Sequence, residues 1–220
     1  MSRKSRKYIL LIIVLFLLLP TLLAGNSAQQ TDADQPKVDQ QAHRNKMHRL
    51  WENHGNWTRL FITSTLGELE YRDPTRSHLL ENQQNIGKAL KPFYGDEAGE
   101  QFTALLEAHV QIAGEMLQAA KNADAAAFED TVDQWYANAD QLAEFLHEIN
   151  PGHWQLAETK TMFREYLDLT LELAIARWSG DLAADAAATD KMRARAAMIA
   201  DMFSEGIIKQ FPDRFELPLR

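Results

Sequence analysis

The sequence predicts an all-α fold, an antiparallel six-helix bundle built from three helical hairpins. Three observations lead there. From about residue 42 onward apolar residues recur at helical spacing, and no stretch alternates as a strand would. Proline, glycine and Asn/Asp breakers cut that stretch into six segments joined by short connections, which favours antiparallel neighbours. The segments also match one another in alternation, as copies of one two-helix unit would.

The elements follow in order. The basic run Arg3, Lys4, Arg6 and Lys7 precedes an uncharged apolar stretch from Tyr8 to Ala24, so residues 1–24 read as a signal peptide or signal anchor. At 17 residues the apolar run is at the short edge of a membrane span, and "LLA" ending at Ala24 is a usable cleavage site. Residues 25–41 are polar and without periodicity, and read as a disordered tether. The bundle is expected over 42–213, with a C-terminal tail at 214–220. Its helices are predicted near 42–70, 75–91, 97–121, 125–149, 154–178 and 182–210. Asp73 before Pro74 predicts the second start, Pro92 to Asp96 a stop and restart, and Asn122 to Asp124 a turn. Pro151–Gly152 and Gly180 before the cap Asp181 predict the next two breaks, and Pro212 the last stop.

Charge and cysteine content narrow the function classes. Setting aside the four early cations leaves 19 basic against 31 acidic residues, a net −12 on the exported part. That sign argues against nucleic acid or an anionic membrane surface as partner, and leaves membrane contact to the N-terminal segment alone. The chain has no cysteine, so disulfides, thiol nucleophiles, c-type haem attachment and thiolate metal sites are excluded.

The repeat singles out one layer of polar residues. Helix one carries Leu50, Trp51, His54, Trp57, Thr58 and Phe61 on its apolar stripe. Helix three carries Leu105, Leu106, His109, Ile112 and Met116 in the same phase, and helix five Met162, Phe163, Tyr166, Leu169 and Leu173. His54, His109 and Tyr166 therefore occupy one position of the unit. The even helices align without gaps over 82–95, 138–151 and 199–212, where Gln83, Ala139 and Ala200 share a core-facing position. The expected buried polar layer is His54, Thr58, Gln83, His109, Tyr166 and Thr170, whose members need partners because an unmade buried hydrogen bond costs about 1–3 kcal/mol.

That layer is also where chemistry would sit. His54 and His109 on facing helices form a candidate imidazole pair for a transition metal, or axial ligands for a haem. Against this, carboxylates are missing from the layer. The one Glu-x-x-His, Glu144 to His147, lies near a helix end, and the large residues Trp57, Phe61 and Met116 would fill the space a porphyrin needs. Asp140 and Asp201 coincide across the repeat, but flank the core-facing position rather than occupy it. Trp51, Trp57, Trp135 and Tyr136 are candidates for an aromatic pocket, and at helical spacing they also read as plain core.

The stretches "LWENHGNWTRLFI", "NQQNIGKALKPFYG", "DQWYANADQLAEFL" and "IADMFSEGIIKQFPDRF" resemble a family of uncharacterised bacterial helical proteins, over about residues 48–215. Members often carry automatic names such as glycosyltransferase or acetylglutamate kinase. The resemblance implies a helical fold and no established activity. The family pattern has His where this chain has Tyr166, and a second His where it has Arg193. The inherited names do not suit these residues. The one Asp-x-Asp, Asp32 to Asp34, falls in the tether, and no strand and glycine-rich phosphate loop precede a helix.

The expectation is therefore an exported, non-enzymatic bundle, periplasmic or at the cell surface. It would bind a small ligand or an envelope protein and carry no cofactor. A metal- or haem-binding bundle using His54 and His109 is the alternative.

Overall fold

The computed structural model describes residues 37–216. The signal segment and the first part of the tether lie outside the described residues. Within them the fold is all-α, with five helices: α1 (Gln40–Leu66), α2 (Arg72–Lys121), α3 (Ala125–Ile149), α4 (Leu156–Ser179) and α5 (Leu182–Gln210). A single 3-10 turn, Pro212–Arg214, follows. No helix among the described residues is long and apolar enough to cross a membrane.

Five helices, not six, is a correction with a local cause. The predicted segments 75–91 and 97–121 fall within one element, α2, in which two helical stretches meet at a kink at Gly95 and Pro92 lies inside the first. Gly95 has φ 88° and ψ 170°, a conformation open to glycine and costly for a residue with a Cβ. The two arms of α2 then run close together. A Cβ on Gly87 would lie 1.9 Å from Thr103 Oγ1 and 2.6 Å from the Gly99 carbonyl, so the approach depends on the missing side chain.

The other ends follow ordinary capping chemistry. Asp124 accepts from Ala127 N, and Asp181 accepts from Ala183 N and Ala184 N, each satisfying orphan donors of a first turn. Asp73 does not cap α2. The helix begins at Arg72, with no side-chain cap from Tyr71, and Asp73 pairs with Arg72. The ordered chain also runs past both expected edges of the bundle. Asp39 caps α1, and Val38 forms an isolated parallel bridge with Phe215, which is fully buried.

Consecutive helices pack on one another, and α5 returns to pack on α1, so the order of neighbours closes on itself. The turn at 67–71 lies beside the end of α2, where Lys121 Nζ is 2.7 Å from Glu68. The opposite pole holds a ring cluster of His43, Phe93, Phe211 and Phe215, and a hydrogen-bonded group of Tyr94, Asn150, Trp154 and Gln210. Between the poles runs an apolar core that includes Trp51, Leu106, Leu142, Phe163, Ile199 and Phe203.

Candidate functional site

Midway along the bundle, two cavities of about 30 Å³ each share His54, His109 and Tyr166 in their walls. Thr58, Trp135 and Thr170 line the first, and Trp51, Ala139 and Ile199 the second. The structure thus brings together the three residues that the sequence comparison set at one position. His54 comes from α1, His109 from the second arm of α2 and Tyr166 from α4, because each lies on the inward stripe of its helix. The His54 and Tyr166 rings are 5.6 Å apart, and His109 stacks on Trp135 at 5.0 Å.

Each histidine is held by an amide from the neighbouring helix arm. Gln83, which has no exposed surface, brings Nε2 to 3.0 Å from His54 Nδ1 and also donates to the Leu79 carbonyl at 2.9 Å. His109 Nδ1 lies 2.7 Å from Asn138 Oδ1, and Asn138 Nδ2 donates to the Leu105 carbonyl. Asn82 Nδ2 likewise donates to the Leu50 carbonyl. Thr170 spends its hydroxyl on the Tyr166 carbonyl of its own helix.

Asn82 and Asn138 were not singled out in the sequence. They open the first two gap-free stretches, at positions matched by Ile199 in the third, and that alignment was the available signal. The alignment that sets Tyr166 against the two histidines also sets Ile199 against the two asparagines.

The electrostatics are those of a neutral site. Desolvation by burial pulls the His54 pKa down to about 3, helped by the neighbouring His109. Part of the His109 side chain stays accessible, but desolvation still lowers its pKa to about 4, against a smaller opposing effect of the Asn138 bond. Burial pushes the Tyr166 hydroxyl upward, so it keeps its proton. Tyr166 Oη and Thr58 Oγ1 face each other without reaching good hydrogen-bond geometry. Trp51 Nε1, Trp135 Nε1 and Gln83 Oε1 are likewise buried without a hydrogen bond.

On one side the wall is thin. Gly55, next to His54, lines a polar surface groove of about 360 Å³ with His48, Glu52, Asp190 and Arg193. A Cβ placed on Gly55 would sit 3.6 Å from Tyr166 Oη.

The remaining sequence candidates lie elsewhere. Glu144 pairs with Lys160, and His147 Nδ1 donates to the Trp154 carbonyl, so the Glu-x-x-His motif is committed to structure. Asp140 is held by Arg164 and Lys160, and Asp201 by His48. Trp57 stacks on His78 at 4.6 Å, and Tyr136 bonds Asp168, so neither joins Trp51 and Trp135 at the chamber. Among the described residues no three His, Asp or Glu side chains come together as a metal group would require. The cavities are also far smaller than a porphyrin, with Phe61, Met116 and Trp135 in their walls. No family model, curated protein or solved structure matches the chain.

Proposed function

We propose that the chain is an exported, non-enzymatic helical module that binds a small molecule in the chamber between His54, His109 and Tyr166. One observation carries this reading: buried polar atoms without hydrogen bonds line that chamber, on Trp51, Thr58, Trp135 and Tyr166. Each costs about 1–3 kcal/mol when nothing bonds it, and an occupant that bonds several removes that cost. Neither cavity has a carboxylate in its wall, and both imidazoles are held neutral, which favours recognition over acid–base chemistry. Two cavities of about 30 Å³ suit a molecule of a few non-hydrogen atoms. Export rests on the basic and apolar segment from Arg3 to Ala24.

We read the bundle as three copies of one hairpin arranged in a ring, with α2 supplying an arm to each of the first two. Matching contacts support this. The Asn82 bond to the Leu50 carbonyl has its counterpart in the Asn138 bond to the Leu105 carbonyl. Asp140 with Lys160 has its counterpart in Asp201 with His48, each partner lying six residues before Tyr166 or His54.

Native mass spectrometry of the protein purified without a His tag from the envelope fraction tests the reading. A bound mass, released on denaturation and absent from His54→Leu/His109→Leu, is the expected result. A wild-type protein of bare-chain mass that releases nothing overturns it. Stoichiometric metal that disappears in the double variant replaces it with the metal-binding alternative.

A further inference from the structure

We infer that His54 and His109 are fixed in opposite tautomers, so the chamber takes a neutral molecule that both donates and accepts hydrogen bonds, not a metal ion shared by the two imidazoles. The ligand class rests on the reading above; the tautomers do not.

The argument runs through the two amides. Gln83 Nε2 donates to the Leu79 carbonyl at 2.9 Å, which fixes which end of the amide is nitrogen. That same nitrogen is 3.0 Å from His54 Nδ1. An amide nitrogen has two protons and no available lone pair, so His54 Nδ1 must accept and the ring proton sits on Nε2. In the second unit the amide faces the other way. Asn138 Nδ2 donates to the Leu105 carbonyl at 3.2 Å, which leaves Oδ1 at 2.7 Å from His109 Nδ1. An amide oxygen has no proton to give, so His109 Nδ1 donates and its Nε2 is bare.

With Nδ1 engaged on both rings, the nitrogens left over are an N–H on His54 and a lone pair on His109. A metal ion held by both rings needs a lone pair from each. His54 can supply one only by moving its proton to Nδ1, against the Gln83 N–H. Turning the Gln83 amide over does not help, because Oε1 would then face the Leu79 carbonyl oxygen. A molecule that accepts from His54 and donates to His109 meets both rings as they stand, and water is the smallest such molecule.

One residue creates the asymmetry. The positions matching Gln83 are Ala139 and Ala200, neither of which carries an amide. Asn82, the counterpart of Asn138, is beside His54's partner, with Oδ1 3.5 Å from Gln83 Nε2. Without the Gln83 side chain, His54 is free to donate Nδ1–H to Asn82, as His109 does to Asn138.

The test is long-range ¹H–¹⁵N NMR of the full chain labelled at histidine, near pH 7, with signals assigned by single His→Gln variants. The wild type is expected to show His54 protonated on Nε2 and His109 on Nδ1. The same tautomer on both, or a charged ring on either, overturns the inference. Gln83→Ala is expected to switch His54 to the Nδ1–H form, and an unchanged His54 signal in a folded variant overturns the role given to Gln83. Zinc chloride is the probe for the ligand class. The wild type is expected to show no zinc-dependent shift at His54 and His109, and Gln83→Ala to bind zinc through both rings at least tenfold more tightly. Zinc bound by both rings in the wild type sinks the inference while leaving open that the chamber binds something. A chamber that releases no molecule in mass spectrometry, with opposite tautomers intact, sinks the binding reading alone.

Discussion

Two regions of this bundle use the same kinds of side chain and treat them differently. At the pole the group around Trp154 is hydrogen-bonded throughout, although His43 Nε2 in the neighbouring ring cluster is buried without a partner. Trp154 Nε1 donates to the Met202 carbonyl, Asn150 bonds Tyr94 and the Gly206 carbonyl, and Tyr94 and Gln210 complete the set. At the chamber Trp51, Trp135, Tyr166 and Thr58 each keep a buried atom without a hydrogen bond. The first arrangement is what stability alone selects, since satisfied buried polar groups lock a packing. The second is destabilising for an empty protein, which is why the chamber and not the pole is the candidate site.

Acid should have the largest effect, and it should load the chamber more than the pole, with two shifted histidines against one. His54 and His109 have pKa values lowered to about 3 and about 4, and His43, near the pole, also falls to about 4. Their folded pKa values lie below the unfolded value of about 6.5, so the unfolded chain takes up protons first as pH falls. Stability is therefore full above about pH 6.5 and lost progressively down to about pH 4 for His109 and His43 and about pH 3 for His54, by on the order of a few kcal/mol for each chamber histidine. Denaturant unfolding at pH 7.5 and pH 5 measures this, and His54→Gln/His109→Gln should flatten most of the slope. An unchanged slope would place the acid sensitivity outside the chamber.

Overpacking the pole should come next. A Cβ on Gly206 would lie 2.0 Å from Trp154 Nε1, which is itself tied to a backbone carbonyl. Gly206→Ala is expected to cost about 1–3 kcal/mol in urea unfolding, near the upper end because the indole has no free direction to move. The smallest effect sharpens the comparison most. Trp154→Phe removes a made hydrogen bond and should cost about 1–2 kcal/mol. Trp135→Phe removes an unmade one, and in the ligand-free protein should stay within about 0.5 kcal/mol of wild type. Equal losses in the two variants would erase the distinction between the regions.

Much of the architecture was legible from residue spacing, because helical periodicity and breakers act locally. Asp124 and Asp181 sit where short polar residues before apolar runs predict a turn or a start. The Pro92–Asp96 stretch does hold a break, the kink at Gly95, but a kink inside one element and a full stop leave the same local trace, so the helix count came out at six instead of five. At the site, the inward stripe carried His54, His109 and Tyr166 to one level, and their shared position in the unit is visible in the sequence. Their partners were not. Whether His109 meets Asn138 or His54 meets Gln83 depends on which neighbouring arm lies closer, and no periodicity along one helix encodes that.

The pairing of Val38 with Phe215 has a consequence for the chain's connectivity. Residues 37 and 216 are held at one pole by Val38 N–H donating to the Arg214 carbonyl and Glu216 N–H donating to the Val38 carbonyl. A short linker can therefore join them into a circle without disturbing the packing of any helix. Once the chain is circular, opening it at the exposed Gly152 would test whether the hydrogen bonds of Asn150 and Trp154 hold the pole together without a covalent connection between them.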